Sequence, residues 1–159
     1  MADSAKRQDA TSWTQDDFEI STDPARIDLA VVHGYLTNSY WAKGIPVEVV
    51  ERSIHNSLCF GIYSNQGQVG FARVITDKAT FAYLADVFVL ESHRGKGLSK
   101  WLMLCIKGHP ELQGLRRWSL VTRDAHGLYR QFGFNTIKNH ERWMEINVRN
   151  VYATGDSKA

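Results

Sequence analysis

A chain of 159 residues, 43% hydrophobic and 23% charged, has an ordinary globular composition and enough length to bury a core. Its net charge of +2 gives no electrostatic footprint for nucleic acid, and no apolar run approaches the ~18 residues of a membrane span. The polar start from Met1 to Thr11 lacks the apolar core of a secretory signal, and Cys59 and Cys105 are too few and too far apart for a disulfide framework or a metal site. The expectation is a cytoplasmic protein with no metal, no nucleic-acid partner and no membrane partner.

Residues 1–12 and 154–159 read as mobile tails around one domain, 13–153. Phe18 to Ser21 can form a short first strand. Asp23-Pro24 announces a helix, with Asp as cap and Pro at the first helical position. Ile27, Val31 and Tyr35 then recur at four-residue steps, with Leu29, Val32 and Leu36 widening the face. An aromatic loop, Tyr40-Trp41-Ala-Lys-Gly-Ile-Pro46, leads to a second helix carrying Val47, Val50 and Ile54. Leu58 to Tyr63 alternates as a strand, Asn65-Gln66-Gly67 is a hairpin turn, and Val69 to Thr76 and Thr80 to Leu90 supply two more antiparallel strands.

The third of these strands feeds the stretch that organises the chain. Glu91-Ser-His-Arg-Gly-Lys-Gly97 is a short basic turn, and Leu98, Trp101, Leu102, Cys105 and Ile106 form the stripe of a half-buried helix that stops at Gly108-His-Pro110. At the start of such a helix the first N–H groups have no internal partner. With the helix dipole, two glycines, Arg94 and Lys96, they compose an anion site suited to phosphate. The same residues would also serve a plain solvated turn. Neither the Walker spacing nor the dinucleotide fingerprint is present, since Lys100 stands where the latter needs glycine.

Further on, Trp118 to Thr122 reads as a strand, Ala125 to Phe132 as a short helix ended by Gly133, and Phe134 to Ile137 and Trp143 to Val148 as two final strands. The order β-α-α-β-β-β-α-β-α-β-β predicts an α/β (α+β) fold, a mixed, mostly antiparallel sheet with helices on both faces.

Val87 to Ser99 resembles the central motif of the GCN5-related N-acetyltransferases (GNAT), Arg/Gln-x-x-Gly-x-Gly/Ala after an apolar strand. Arg94, Gly97 and Ser99 occupy its positions, with Ser99 a departure at the last place and Glu91 where many members carry proline. Ala125-His-Gly-Leu-Tyr-Arg-Gln-Phe-Gly-Phe134 resembles the family's later motif, Ala-x-x-Leu-Tyr-x-x-x-Gly-Phe. The resemblance spans roughly Phe18 to Val148 and implies an acetyl-CoA-dependent transferase acting on a primary amine of a small molecule or peptide.

By that resemblance, backbone N–H groups from Arg94 through Gly95, Lys96, Gly97 and Leu98 to Ser99 hold the pyrophosphate. The backbone of Val87, Phe88 and Val89 holds the pantetheine arm, and Tyr129 protonates the departing thiolate. Some relatives carry a glutamate base where this chain has Ala85, leaving Asp86 as the nearby carboxylate. Tyr35, Tyr40 and Trp41 are candidate acceptor contacts. Read from spacing alone, Tyr129 lies on a stripe with Ala125, Leu128 and Phe132 and fits a core position equally well, Asp86 can be structural, and the aromatic loop can be a lid. The alternative to an enzyme is a non-catalytic acyl-CoA sensor or interaction module with the same fold. A homodimer is expected only by analogy.

Overall fold

The computed structural model describes residues 9–153. Six strands follow one another across a single sheet in chain order: β1 (Ser12–Gln15), β2 (Phe18–Ser21), β3 (Leu58–Ser64), β4 (Gly67–Thr76), β5 (Phe81–Val89) and β6 (Arg117–Ser119). Neighbours pair antiparallel from β1 to β5, and β6 joins β5 in parallel, as expected after a helical crossover. The helices are α1 (Leu29–Leu36), α2 (Val47–His55), α3 (Leu98–Gly108) and α4 (His126–Arg130).

Strand alternation sends side chains to two separate apolar layers. Phe60, Ile62, Val74 and Leu84 pack with Leu102, Cys105 and Ile106 of α3, while Cys59, Phe71 and Phe88 pack with Val32 and Leu36 of α1 and Val50 of α2. The sheet is therefore covered on both faces, the mixed α/β architecture expected from the element order.

Several local expectations change. Residues 1–8 and 154–159, the bulk of the expected tails, lie outside the described residues. Just inside them, β1 forms a hairpin with β2, and the N–H of Thr11 donates to Thr22 Oγ1. Asp23 does cap Pro24, but the turn it starts is a single 3-10 turn ending at Arg26. Asp28 supplies a second cap, accepting from the N–H of Val31, and begins α1.

The two final strands predicted at Phe134–Ile137 and Trp143–Val148 are absent. Neither run joins a ladder, because a strand needs a paired neighbour as well as an alternating pattern.

Two bulges shape the middle of the sheet. Val69 is an extra residue of β4 against β3, where Ile62 faces Gly70 but Tyr63 faces Gln68. On β5, Phe71 faces Phe88 and Arg73 faces Ala85, so Asp86 and Val87 together oppose Ala72. Asp86 absorbs the extra residue at φ 54°, a left-handed conformation that Asp tolerates better than most residues. The bulge reverses the alternation. Leu84 faces α3, whereas Phe88 faces α1 and α2.

Candidate active site

β5 and β6 pair over only three positions, Phe81 to Tyr83 against Arg117 to Ser119. Beyond them the strands part. The gap is a cleft of about 1040 Å³, walled by Leu84 to Val87 on one side and Leu120 to Ala125 on the other. Tyr129 closes one end, and Tyr35, Tyr40 and Trp41 of the α1–α2 region form the lip. Beyond Tyr83 no strand pairs with the cleft side of β5 among the described residues, so its backbone is available as an edge there.

At the far end of β5 the chain passes through a 3-10 turn, Glu91–His93, into the glycine turn. Gly95 and Gly97 adopt φ of 78° and 75°, and a Cβ on either would meet open space. Their requirement is therefore conformational, because left-handed backbone is costly for residues with a Cβ. Gly97 caps α3 with no side-chain hydrogen bond, and the N–H groups of Gly95, Lys96 and Gly97 make no hydrogen bond among the described residues. A helix start with free donors, beside Arg94 and Lys96, is an anion-binding geometry.

The Arg94 guanidinium donates to the Val89 carbonyl (3.0 Å) and to the Tyr35 hydroxyl (3.1 Å). Tyr35 in turn stacks on Phe88 with ring centroids 4.0 Å apart. Leu98, Phe88 and Val89 are buried, so their side chains serve the core and only their backbone faces other work.

Asp86 lies on the cleft side because of the bulge. Arg73 Nε donates to its Oδ2 at 2.8 Å and Trp41 Nε1 to its Oδ1 at 2.9 Å. Both oxygens are thus engaged, and the Arg73–Asp86 pair is largely shielded from solvent. Arg73 also donates to Ser57 Oγ. The carboxylate anchors the aromatic lip to the sheet.

Tyr129 is 8% exposed, its hydroxyl makes no hydrogen bond among the described residues, and burial pushes its pKa up to about 12, with Tyr40 adding to the rise. It therefore holds its proton throughout the physiological range. Tyr40 and Trp41 are half exposed at the cleft mouth, with the Arg123 guanidinium 3.8 Å over the Tyr40 ring.

Of the residues expected of the site, Tyr35, Tyr40, Trp41, Asp86, Val87 and Tyr129 line the cleft, Arg94 to Gly97 form the turn and Leu98 and Ser99 begin α3, while Phe88 and Val89 lie on β5 outside the cleft lining. Arg73, Tyr83, Arg123 and Tyr152 line the cleft as well and were missed. A signal existed only for Arg73, a charge inside the apolar run Val69 to Ile75. Among the described residues no group of three or more His, Cys, Asp or Glu could hold a metal ion, and no helix is long and apolar enough to cross a membrane.

Residues 55–136, which span β3 through α4, match the acetyltransferase (GNAT) domain family. The chain belongs to the GNAT acetyltransferases. A crystal structure from Xanthomonas campestris pv. campestris, assigned to the same family, is 49% identical and superposes with a TM-score of 0.86, covering 89% of this chain and 100% of that one. A Gibberella zeae protein assigned to the acetyltransferases is 29% identical over 91% of this chain and 94% of its own length. A Clostridium acetobutylicum structure, described as an acetyltransferase with acetyl-CoA, is 12% identical with a TM-score of 0.57 over 87% of this chain and 95% of that one. This GNAT chain is accordingly an acyltransferase with the fold its two motifs implied.

Proposed function

We propose that this chain transfers the acetyl group of acetyl-CoA to a primary amine of a small molecule or peptide. The observation that carries the reading is the cleft itself, whose lining brings together Asp86 and Val87 of the β5 bulge and Tyr129, which burial keeps protonated. The residues fit the coenzyme. The turn from Gly95 to Ser99 offers free N–H groups for a diphosphate, whereas the Arg94 N–H, also expected there, donates to the Glu91 carbonyl, and the edge from Val87 to Val89 offers strand-like hydrogen bonds to an amide-bearing arm. Acetyl-CoA brings the thioester carbon that the amine attacks.

The chain's own groups then have distinct tasks. A backbone N–H released by the bulge near Val87 donates to the carbonyl oxygen as charge builds there, a preorganised donor at the cleft wall. The Tyr129 hydroxyl hands its proton to the sulfur as the C–S bond breaks. With a thiol pKa of ~8.5 the leaving group is already fair, so the acid contributes a modest part of the barrier. Asp86 is a positioning residue, because its oxygens hold Arg73 and Trp41 and it has no vacant oxygen to serve as base. An aliphatic amine with pKa ~10 loses its proton to water in the cleft instead. Trp41, 42% exposed at the cleft mouth, offers the incoming ammonium a setting for cation–π contact, with Tyr35 packed against it, while Tyr40 beside it already carries the Arg123 guanidinium on one ring face.

The test is thiol release from acetyl-CoA across a panel of aliphatic amines, aromatic amines, aminoglycosides and peptides. Turnover that depends on the amine supports the reading, with preference for amines carrying an aromatic or apolar body. Tight acetyl-CoA binding without turnover on any amine class would make the chain an acyl-CoA sensor.

A further inference from the structure

The cleft is charged differently at its floor and at its mouth. Arg73, Asp86, Arg123 and Asp124 are the charged side chains among its described lining residues. The inner pair is closed on itself. Arg73 and Asp86 meet at 2.8 Å away from solvent, Trp41 donates to the second carboxylate oxygen, and Ser57 Oγ accepts from the guanidinium. Small polar groups nearby are committed as well, with Asn38 donating to the Gly34 carbonyl, Ser39 to that of Leu36 and Ser53 to that of Val50. A charged acceptor is therefore left to the outer pair.

Arg123 and Asp124 lie between β6 and α4, their charged atoms 3.8 Å apart and their side chains 65% and 71% exposed. That is too long for a hydrogen bond and too wet for a strong ion pair. Arg123 is nevertheless held in place. Its guanidinium sits 3.8 Å over the Tyr40 ring, and its backbone N–H donates to the Tyr40 hydroxyl at 3.4 Å. Contact through the ring face leaves the guanidinium N–H donors unused, and they make no hydrogen bond among the described residues. No hydrogen bond fixes Asp124 there either. Tyr40 meets Trp41 edge to face with centroids 5.0 Å apart, so the fixed cation stands one ring away from the ammonium's place at Trp41.

We infer that the acceptor carries an oxyanion, a carboxylate or a phosphate, beside its amine, and that Arg123 is the residue that selects it. The inference rests on the acyl-transfer reading and names the acceptor class within it. A guanidinium presented on an aromatic ring offers a planar fork of donors, which takes two oxygens of one carboxylate or phosphate at once. A second ammonium in the same place would meet a like charge, with Asp124 as the one carboxylate of the lining not already engaged. Polyamines and aminoglycosides are poor acceptors for this reason.

Turnover on matched amines tests it: butylamine, γ-aminobutyrate and putrescine, then phenethylamine against phenylalanine and ethanolamine against phosphoethanolamine. The oxyanion-bearing member is expected to have a kcat/KM at least ~10-fold above its neutral counterpart, carried mainly by KM. The carboxylate and phosphate arms show which oxyanion is preferred. Arg123→Gln brings the ratio to about one, Arg123→Lys keeps part of it as a charge without the fork, and Arg123→Glu turns the order towards putrescine. Unchanged circular dichroism checks that these variants fold, as the exposure of the side chain implies. Calorimetric titration of the same compounds in the presence of CoA is the second measurement and needs no turnover. If no amine is acetylated, the acyl-transfer reading fails and the titration decides on Arg123 by itself: binding of the oxyanion-bearing members that Arg123→Gln removes supports its role. Oxyanion-bearing amines that bind and react no better than their neutral counterparts, or a preference that survives Arg123→Gln, overturn the inference.

Discussion

Asp86→Asn separates the two roles open to the carboxylate at the bulge. Asparagine keeps the shape, tolerates φ of 54° and still accepts from Trp41 through Oδ1. It loses the charge facing the Arg73 guanidinium, which stays mostly buried with only Ser57 Oγ as a remaining partner. A hydrogen bond between charged groups is worth about 1.5–3 kcal/mol, so the expected loss of stability is about 2 kcal/mol. For a chain of this size that corresponds to a melting temperature about 4–8 °C lower. Asp86→Ala is expected to lose about 1–2 kcal/mol more, because it also removes the Trp41 bond and puts a Cβ residue without polar compensation at positive φ.

The assay pairs thermal denaturation with steady-state turnover on the best amine from the panel. A positioning role predicts a lower melting temperature, a raised acceptor KM and a kcat within about tenfold of wild type, with acetyl-CoA affinity little changed. The reasoning is refuted if Asp86→Asn keeps its melting temperature while kcat collapses by ~100-fold or more, the signature of a lost general base.

Tyr129→Phe is expected to lower kcat by roughly 10–100-fold with acetyl-CoA affinity unchanged. Because the hydroxyl bonds to no protein group among the described residues, the melting temperature should move little; a large drop with full activity would return Tyr129 to the core. Gly97→Ala forces a Cβ residue to φ 75° and should cost about 1–2 kcal/mol, together with weaker acetyl-CoA binding by calorimetry. Gly34→Ala, inside α1 with open space around it, should instead stabilise by about 0.5–1 kcal/mol. His109 is buried between the rings of Trp13 and Phe60, and burial lowers its pKa below 6.5. The unfolded chain therefore takes up a proton first as pH falls. The stability from neutral His109 is complete above about pH 6.5 and is lost as pH drops towards the depressed folded value. Melting temperatures of wild type and His109→Phe from pH 8 to 5 should show the shallower slope in the variant.

The site was legible to the extent that it is local. Gly95 and Gly97, followed by the Leu98–Trp101–Leu102 stripe, specify a turn and a helix start within a dozen residues, because helical periodicity and left-handed backbone are properties of short segments. The motif around Tyr129 is of the same kind. The orientation of Asp86 was not legible, for the opposite reason. A strict two-residue period puts Leu84, Asp86 and Phe88 on one face, but the extra residue in β5 separates Asp86 and Phe88 from Leu84, and no propensity in Tyr83 to Val89 marks where a bulge will fall.

The amino-acid sequence by itself determined the family, the order of strands and α-helices from β2 through α4, the glycine turn and the tyrosine of the cleft, all written in patterns that neighbouring residues complete. The tertiary structure alone decided that β5 and β6 part after three pairs, that Arg73 and Trp41 occupy both oxygens of Asp86, and that Trp143 to Val148 lies unpaired. Each of these depends on which distant segment arrives opposite a given residue. Alternation makes a strand possible, but only a partner across the ladder makes it one.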